Sequence, residues 1–121
     1  TLSVYGTRRL GRMVEQCCAV ARHLAARVAR EPLLELMAPV TLDIVCFRVR
    51  FVEMDDEALD SLNAETVKDV QESGVAAPST TRIHGRLVIR AAIVNHRTTD
   101  SDADRMLDAV LASAARRRGE L

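Results

Sequence analysis

The sequence predicts an α+β fold: a small antiparallel sheet of three to four strands covered by helices and preceded by a long N-terminal helix. Three observations predict it. Apolar residues recur at spacings of three and four in three separate stretches, as in amphipathic helices. Between Leu42 and Phe51 apolar residues recur every second position, as in a strand with one buried face. Arg86–Val94 is an almost unbroken apolar run of strand length. Helices set against a small antiparallel sheet are the layout this order of elements favours.

The first helix is expected over residues 7–30. Leu10, Met13, Val14, Cys17, Ala21, Leu24 and Val28 form one stripe, Arg12, Glu15, Arg22 and Arg27 lie off it, and Pro32 marks its end. The short apolar piece Leu33–Ala38 reads as an edge strand, closed by Pro39. In the strand Leu42–Phe51, Val45, Phe47, Val49 and Phe51 should face the core, leaving Ile44, Cys46, Arg48 and Arg50 wetter. Asp55 and Asp56 open the second helix, where carboxylates suit the helix dipole. Leu59, Leu62, Val67 and Val70 form its buried face, and Gly74 stops it near Ser73. A loop with Pro78 leads to two strands, Thr80–His84 and Arg86–Val94, joined near Gly85. The second of these reads as covered on both faces. After a polar turn at Asn95–Thr99, Thr99 or Asp100 caps a last helix. Met106, Leu107, Val110, Leu111 and Ala114 form its stripe, and Arg116–Arg118 suit its C-terminal dipole.

Composition excludes several classes. The 121 residues carry 17 basic and 17 acidic side chains, so the net charge is zero and a nucleic-acid surface is not expected. Arg48, Arg50, Arg82 and Arg86 are better read as a solvated face than as an RNA site, because there are almost no aromatics for base stacking. No apolar run approaches the ~18–20 residues of a membrane span, and Arg8, Arg9, Gly11 and Arg12 interrupt any signal-peptide pattern. Cys17, Cys18 and Cys46 are odd in number and irregular in spacing, which fits buried or half-buried thiols in a reducing cytoplasm rather than disulfides. The chain opens on Thr1 and not on Met, as a processed or truncated end would. His23, His84 and His96 have no metal-ligand spacing. Lysine chemistry is confined to Lys68, the one lysine present.

Three segments carry a resemblance. The strand that begins Leu42-Asp-Ile-Val-Cys-Phe-Arg-Val-Arg, the piece Glu72-Ser-Gly-Val-Ala-Ala-Pro-Ser-Thr-Thr, and the run Gly85-Arg-Leu-Val-Ile-Arg-Ala-Ala-Ile-Val-Asn-His-Arg-Thr-Thr resemble the C-terminal small domain of the group II pyridoxal-phosphate-dependent amino-acid decarboxylases. The opening Tyr5-Gly-Thr-Arg-Arg-Leu-Gly-Arg-Met-Val-Glu is similar to the helix that leaves the family's large domain. The resemblance covers nearly the whole chain. It implies a fold-type-I enzyme in which residues 1–31 link from an absent large domain and residues 32–121 form the small domain that closes over it. It implies a homodimer with active sites near the subunit interface. The cofactor, pyridoxal phosphate, would sit on a large-domain lysine that follows a histidine. An aspartate there would pair with the pyridine nitrogen, and the pyridinium would act as an electron sink. Lys68 departs from that pattern, since it follows Val67 within a helix. No catalytic, cofactor-binding or metal-binding residue is therefore expected in this chain, and the chain alone is expected to be inactive.

Arg90 is the foremost candidate site residue, because a charge in the middle of an apolar strand needs a partner. The resemblance implies a substrate-carboxylate anchor, for which the guanidinium fork is suited. The structural alternative is an ion pair with Asp43, Glu53 or a large-domain residue. His96 and Arg97 read either as contacts to the large domain or partner subunit at the pocket edge, or as a solvated turn with Asn95. His84 reads as a strand-end residue in preference to a cofactor neighbour. A rival of another class remains: from Leu42 onward the order strand–helix–strand–strand–helix resembles a ferredoxin-like ligand-binding or oligomerisation module, with the first helix for dimerisation.

Overall fold

A computed structural model describes residues 3–73, 78–93 and 97–119. It contains α1 (Ser3–Arg30), β1 (Leu34–Leu36), β2 (Ile44–Val49), α2 (Asp56–Ser73), β3 (Ser79–Ile83), β4 (Arg86–Ala92) and α3 (Asp100–Gly119). The α+β expectation is borne out. The four strands form one antiparallel sheet in the order β1-β2-β4-β3, which puts the short first strand at an edge, as read from the sequence. Helix α1 begins earlier than its apolar stripe, and β2 is shorter than the alternating segment that contains it. The proposed stop at Gly74, the loop through residue 77, and Asn95 and His96 lie outside the described residues.

One face of the sheet is apolar and meets the helices. Val45, Phe47, Val49, Ile89 and Ala91 join Val20, Leu24, Val28, Leu59, Val70, Leu107 and Val110 in one cluster. Phe51 continues the alternation into that cluster beyond the end of β2. The α1 stripe divides. From Cys17 to Val28 it is buried against the chain itself, while Leu10 and Val14 stay exposed. All three cysteines are free thiols, buried at Cys17 and half-buried at Cys18 and Cys46.

Helix ends follow the sequence. Asp55 caps α2 by accepting from the Ala58 amide at 2.8 Å. Thr99 and Asp102 form a reciprocal box at the start of α3: the Asp102 amide donates to Thr99 Oγ1 at 3.2 Å, and the Thr99 amide to Asp102 Oδ2 at 2.9 Å. The β3–β4 hairpin turns at His84 and Gly85, with φ of 52° and 78°, the two positive values that a tight two-residue turn of this hand requires.

Strand β4 meets its expectation in part. Its run of apolar residues predicts cover on both faces, and on the second face Val88 is fully buried while Arg90 and Ala92 are half-buried. The sheet also opens at one end. β2 and β4 pair from Ile44–Ala92 to Phe47–Ile89, and in that register Val49 would face Leu87. Both bond to α2 instead. Buried Asn63 accepts from the Val49 amide at 2.8 Å and donates to the Val49 carbonyl at 3.0 Å and the Leu59 carbonyl at 2.8 Å. The Leu87 amide donates to Asp60 at 3.0 Å. The Asn63 amide thus acts as a substitute strand partner at the fork. Asn63→Leu would leave both Val49 backbone groups buried and unpaired, so it should destabilise the chain by about 2–4 kcal/mol in denaturant unfolding.

Candidate functional site

Arg90 lies in the middle of β4, opposite Cys46 of β2 and Ser79 of β3. Directly paired residues share a face. Arg90 therefore stands between a thiol and a hydroxyl on the sheet face turned away from the helical core. Its guanidinium forms no hydrogen bond or ion pair with any described residue. The structural alternatives within this chain are unused: Glu53 pairs with Arg118, and Asp43 meets the end of β4 through its backbone carbonyl, 2.8 Å from the Ile93 amide. The charge of Arg90 is felt locally. Burial pushes the Cys46 thiol up, and the guanidinium partly offsets that rise.

Arg48 corrects the sequence reading. It was expected on a solvated basic face, yet it is 2% exposed. Carboxylates from two other elements explain this. Glu35, its cross-strand partner on β1, lies 3.5 Å from Nη2, and Asp56 at the start of α2 lies 3.4 Å from Nη1. Asp56 also takes Arg86 at 3.3 Å, and Glu35 takes Arg50 at 3.7 Å. A buried guanidinium needs such charges around it. Glu35 Oε2 and Arg48 Nε are both buried without a hydrogen-bond partner, so charge rather than close hydrogen bonding holds this pair together. Arg82 pairs with Asp60 at 3.4 Å. Three of the four arginines are thus committed to acidic partners at the N-terminal half of α2, and the fourth, Arg50, to Glu35. Arg90 is left facing outward.

The remaining candidates separate. His96 lies outside the described residues. Arg97 is exposed and engaged within the chain. His84 is exposed at its hairpin. Lys68 is exposed on α2 and pairs with Glu65 at 3.3 Å. No group of metal-ligating residues occurs among the described residues. No helix among them is long and apolar enough to cross a membrane.

Ion pairs tie the helices together. His23 and Arg27 of α1 reach Asp104 of α3, at 2.9 Å for His23 Nε2, and Arg27 also pairs with Asp108. The Asp104 carboxyl is held low chiefly by His23. Asp69 of α2 accepts from Ser113 at 2.6 Å, Arg116 at 2.7 Å and Arg117 at 2.6 Å. The arginine run, expected to serve the helix dipole, is therefore a specific clamp. Arg118 adds a stacking contact, 4.3 Å from the Phe51 ring centroid.

A second feature is apolar. A groove of about 380 Å³ opens between the first half of α1 and the β1–β2 turn, lined by Leu10, Met13, Val14, Cys17, Cys18, Leu42 and Asp43.

No protein-family model matches the chain. Curated relatives do. Tyrosine decarboxylase 2 of Arabidopsis thaliana is 28% identical over 92 residues, 76% of this chain and 17% of the relative. Aromatic-L-amino-acid decarboxylase of Bacillus atrophaeus is 26% identical over 103 residues, 84% of this chain and 22% of the relative. Among solved structures, the glutamate decarboxylase domain of a diaminobutyrate-pyruvate transaminase and L-2,4-diaminobutyrate decarboxylase from Vibrio parahaemolyticus superposes with a TM-score of 0.82. It is 26% identical, over 96% of this chain and 24% of that one. Oryza sativa TDC with PLP and tryptamine has the same fold at a TM-score of 0.83 and 22% identity, over 95% of this chain and 24% of that one. The chain thus spans about a fifth of the length of the relatives it matches. The resemblance to group II pyridoxal-phosphate-dependent decarboxylases is borne out, and the match is to a part of such proteins.

The Asp69 clamp carries a pH prediction. Arg117 first, then Ser113, hold the Asp69 carboxyl well below the usual carboxylate range. A carboxyl lowered on folding contributes stability that is present above its unfolded value of about 3.9 and is lost as pH falls below it. Asp69→Asn should therefore cost about 1.5–3 kcal/mol in denaturant unfolding at pH 7. The gap to the unsubstituted chain should narrow steadily below about pH 4.

Proposed function

We propose that this chain is the C-terminal part of a pyridoxal-phosphate-dependent decarboxylase acting on an α-amino acid. Residues 32–121 serve as its small domain, and residues 1–31 lead into it from a large domain of the same polypeptide. The cofactor belongs to that large domain. The residues described here do not fit a covalent cofactor site, because Lys68 sits exposed on α2 beside Glu65, so no catalytic step is assigned to this chain. The intact enzyme is read as a cytoplasmic homodimer, with His96 and Arg97 at the pocket edge or subunit contact.

One observation carries the part this chain plays. Arg90 presents a half-buried guanidinium with no partner among the described residues, on the sheet face away from the core. A half-dehydrated cation gains most from a carboxylate that can take two parallel N–H bonds. The α-carboxylate of an amino acid has that form. Arg90 would orient it while the large domain supplies the reacting centre. The ferredoxin-like module is not favoured, because the relatives carry this fold as about a fifth of a longer chain.

In the intact enzyme, Arg90→Ala should lower kcat/KM at least about 30-fold, the scale of about 2 kcal/mol for truncating one side of a hydrogen-bonded charge pair. Cofactor absorbance should stay intact. Arg90→Lys should recover only part of the loss, since an ammonium lacks the fork. Unchanged kinetics for Arg90→Ala would remove Arg90 from the site. The coding sequence upstream of Thr1 tests the wider reading: a frame without a His-Lys pair would sink the decarboxylase assignment.

A further inference from the structure

The first half of α1 carries apolar side chains that the rest of this chain does not cover. Leu10 is 62% exposed and Val14 51% exposed, one turn apart on the same face. Across the groove stands Leu42, 73% exposed. Met13 and Cys18 complete the wall.

Leu42 is the informative residue. It sits in a tight turn closed by Thr41 and Ile44, whose amides donate to each other's carbonyls at 3.3 and 2.9 Å. Its φ is 53°. Turns of this kind take Gly, Asn or Asp at positive φ, and a bulky residue there is strained. The turn therefore gains nothing from a leucine, and in this chain the leucine gains no burial. An exposed apolar side chain on an unsuited backbone position, facing two more exposed apolar side chains, is explained by something that covers all three.

We infer that this groove seats an apolar segment of the polypeptide that precedes this chain in the intact protein. The occupant rests on the reading proposed above, in which the chain is about a fifth of a longer protein. Size favours that occupant over a second copy held by this groove alone. A stable association between separate proteins takes about 800 Å² and 20–30 residues a side, far more than a seven-residue groove offers. A tethered segment needs much less, because its effective concentration at the groove is of order millimolar.

The test uses the intact protein carrying Leu10→Cys, with alkylation by a maleimide located by peptide mass. The new thiol should react at least 10-fold more slowly in the native protein than in the urea-unfolded one, at any protein concentration. Reaction at the unfolded rate would overturn the inference. So would protection that is lost on dilution, which points to a second copy. Adding Leu42→Asn, which suits the turn and removes the apolar wall, should raise the alkylation rate several-fold with the fold retained. An unchanged rate would exclude Leu42 from the seat and overturn the inference as stated. Cofactor absorbance and the Arg90→Ala kinetics report separately on the decarboxylase reading. Their failure beside retained Leu10→Cys protection would sink that reading and still support a groove covered by the preceding polypeptide.

Discussion

The fork between β2 and β4 organises this fold. Antiparallel strands leave paired amides and carbonyls wherever they part, and burying such groups without partners costs about 1–3 kcal/mol each. Helix α2 meets the cost with side chains. Asn63 pairs with both backbone groups of Val49, and Asp60 takes the Leu87 amide. These bonds fix where the helix lies along the sheet. They also fix where its N-terminal carboxylates fall, so Asp56 arrives between Arg48 and Arg86.

That placement sorts the arginines of the sheet. Glu35, Asp56 and Asp60 absorb Arg48, Arg50, Arg82 and Arg86. Arg90, one pair further along the ladder than the fork, forms an ion pair with none of them. A sheet whose second face were wholly polar would not single out one cation in this way. Here an apolar strand surrounds it and an acidic helix end neutralises its neighbours. The relatives are each matched over only about a fifth of their length.

The helices are held to each other by a different means. Few aromatics are present, so the core of Leu, Val, Ile and Ala is supplemented at its rim by charged clamps. Asp69 gathers Ser113, Arg116 and Arg117, and His23 with Arg27 joins α1 to α3. The second half of α1 is thereby packed into the same core as the sheet and the other helices. Its first half projects beyond this packing, with the groove at its base.

Period and punctuation in the sequence determined the elements and the core face of the sheet. Val45, Phe47, Val49 and Phe51 are buried because alternation of two cannot serve any other geometry. The start of α2 at Asp55 and Asp56 and a cap at Thr99 or Asp100 were legible, and short polar side chains at Asp55 and Thr99 satisfy amides one turn away. The place of Arg90 as a charge in the middle of an apolar strand was also legible. Tertiary structure decided what each charge meets. Arg48 reads as a wet residue because its carboxylate Asp56 lies in the next element and Glu35 in the preceding one. Asn63 and Thr66 are buried on the same face of α2 as Leu59, Leu62 and Val70, and for Asn63 the backbone it meets there belongs to β2. Such partners are set by how helix and strand meet in space, a relation that no local pattern encodes, and so burial of a charge becomes visible only once the sheet and α2 are docked.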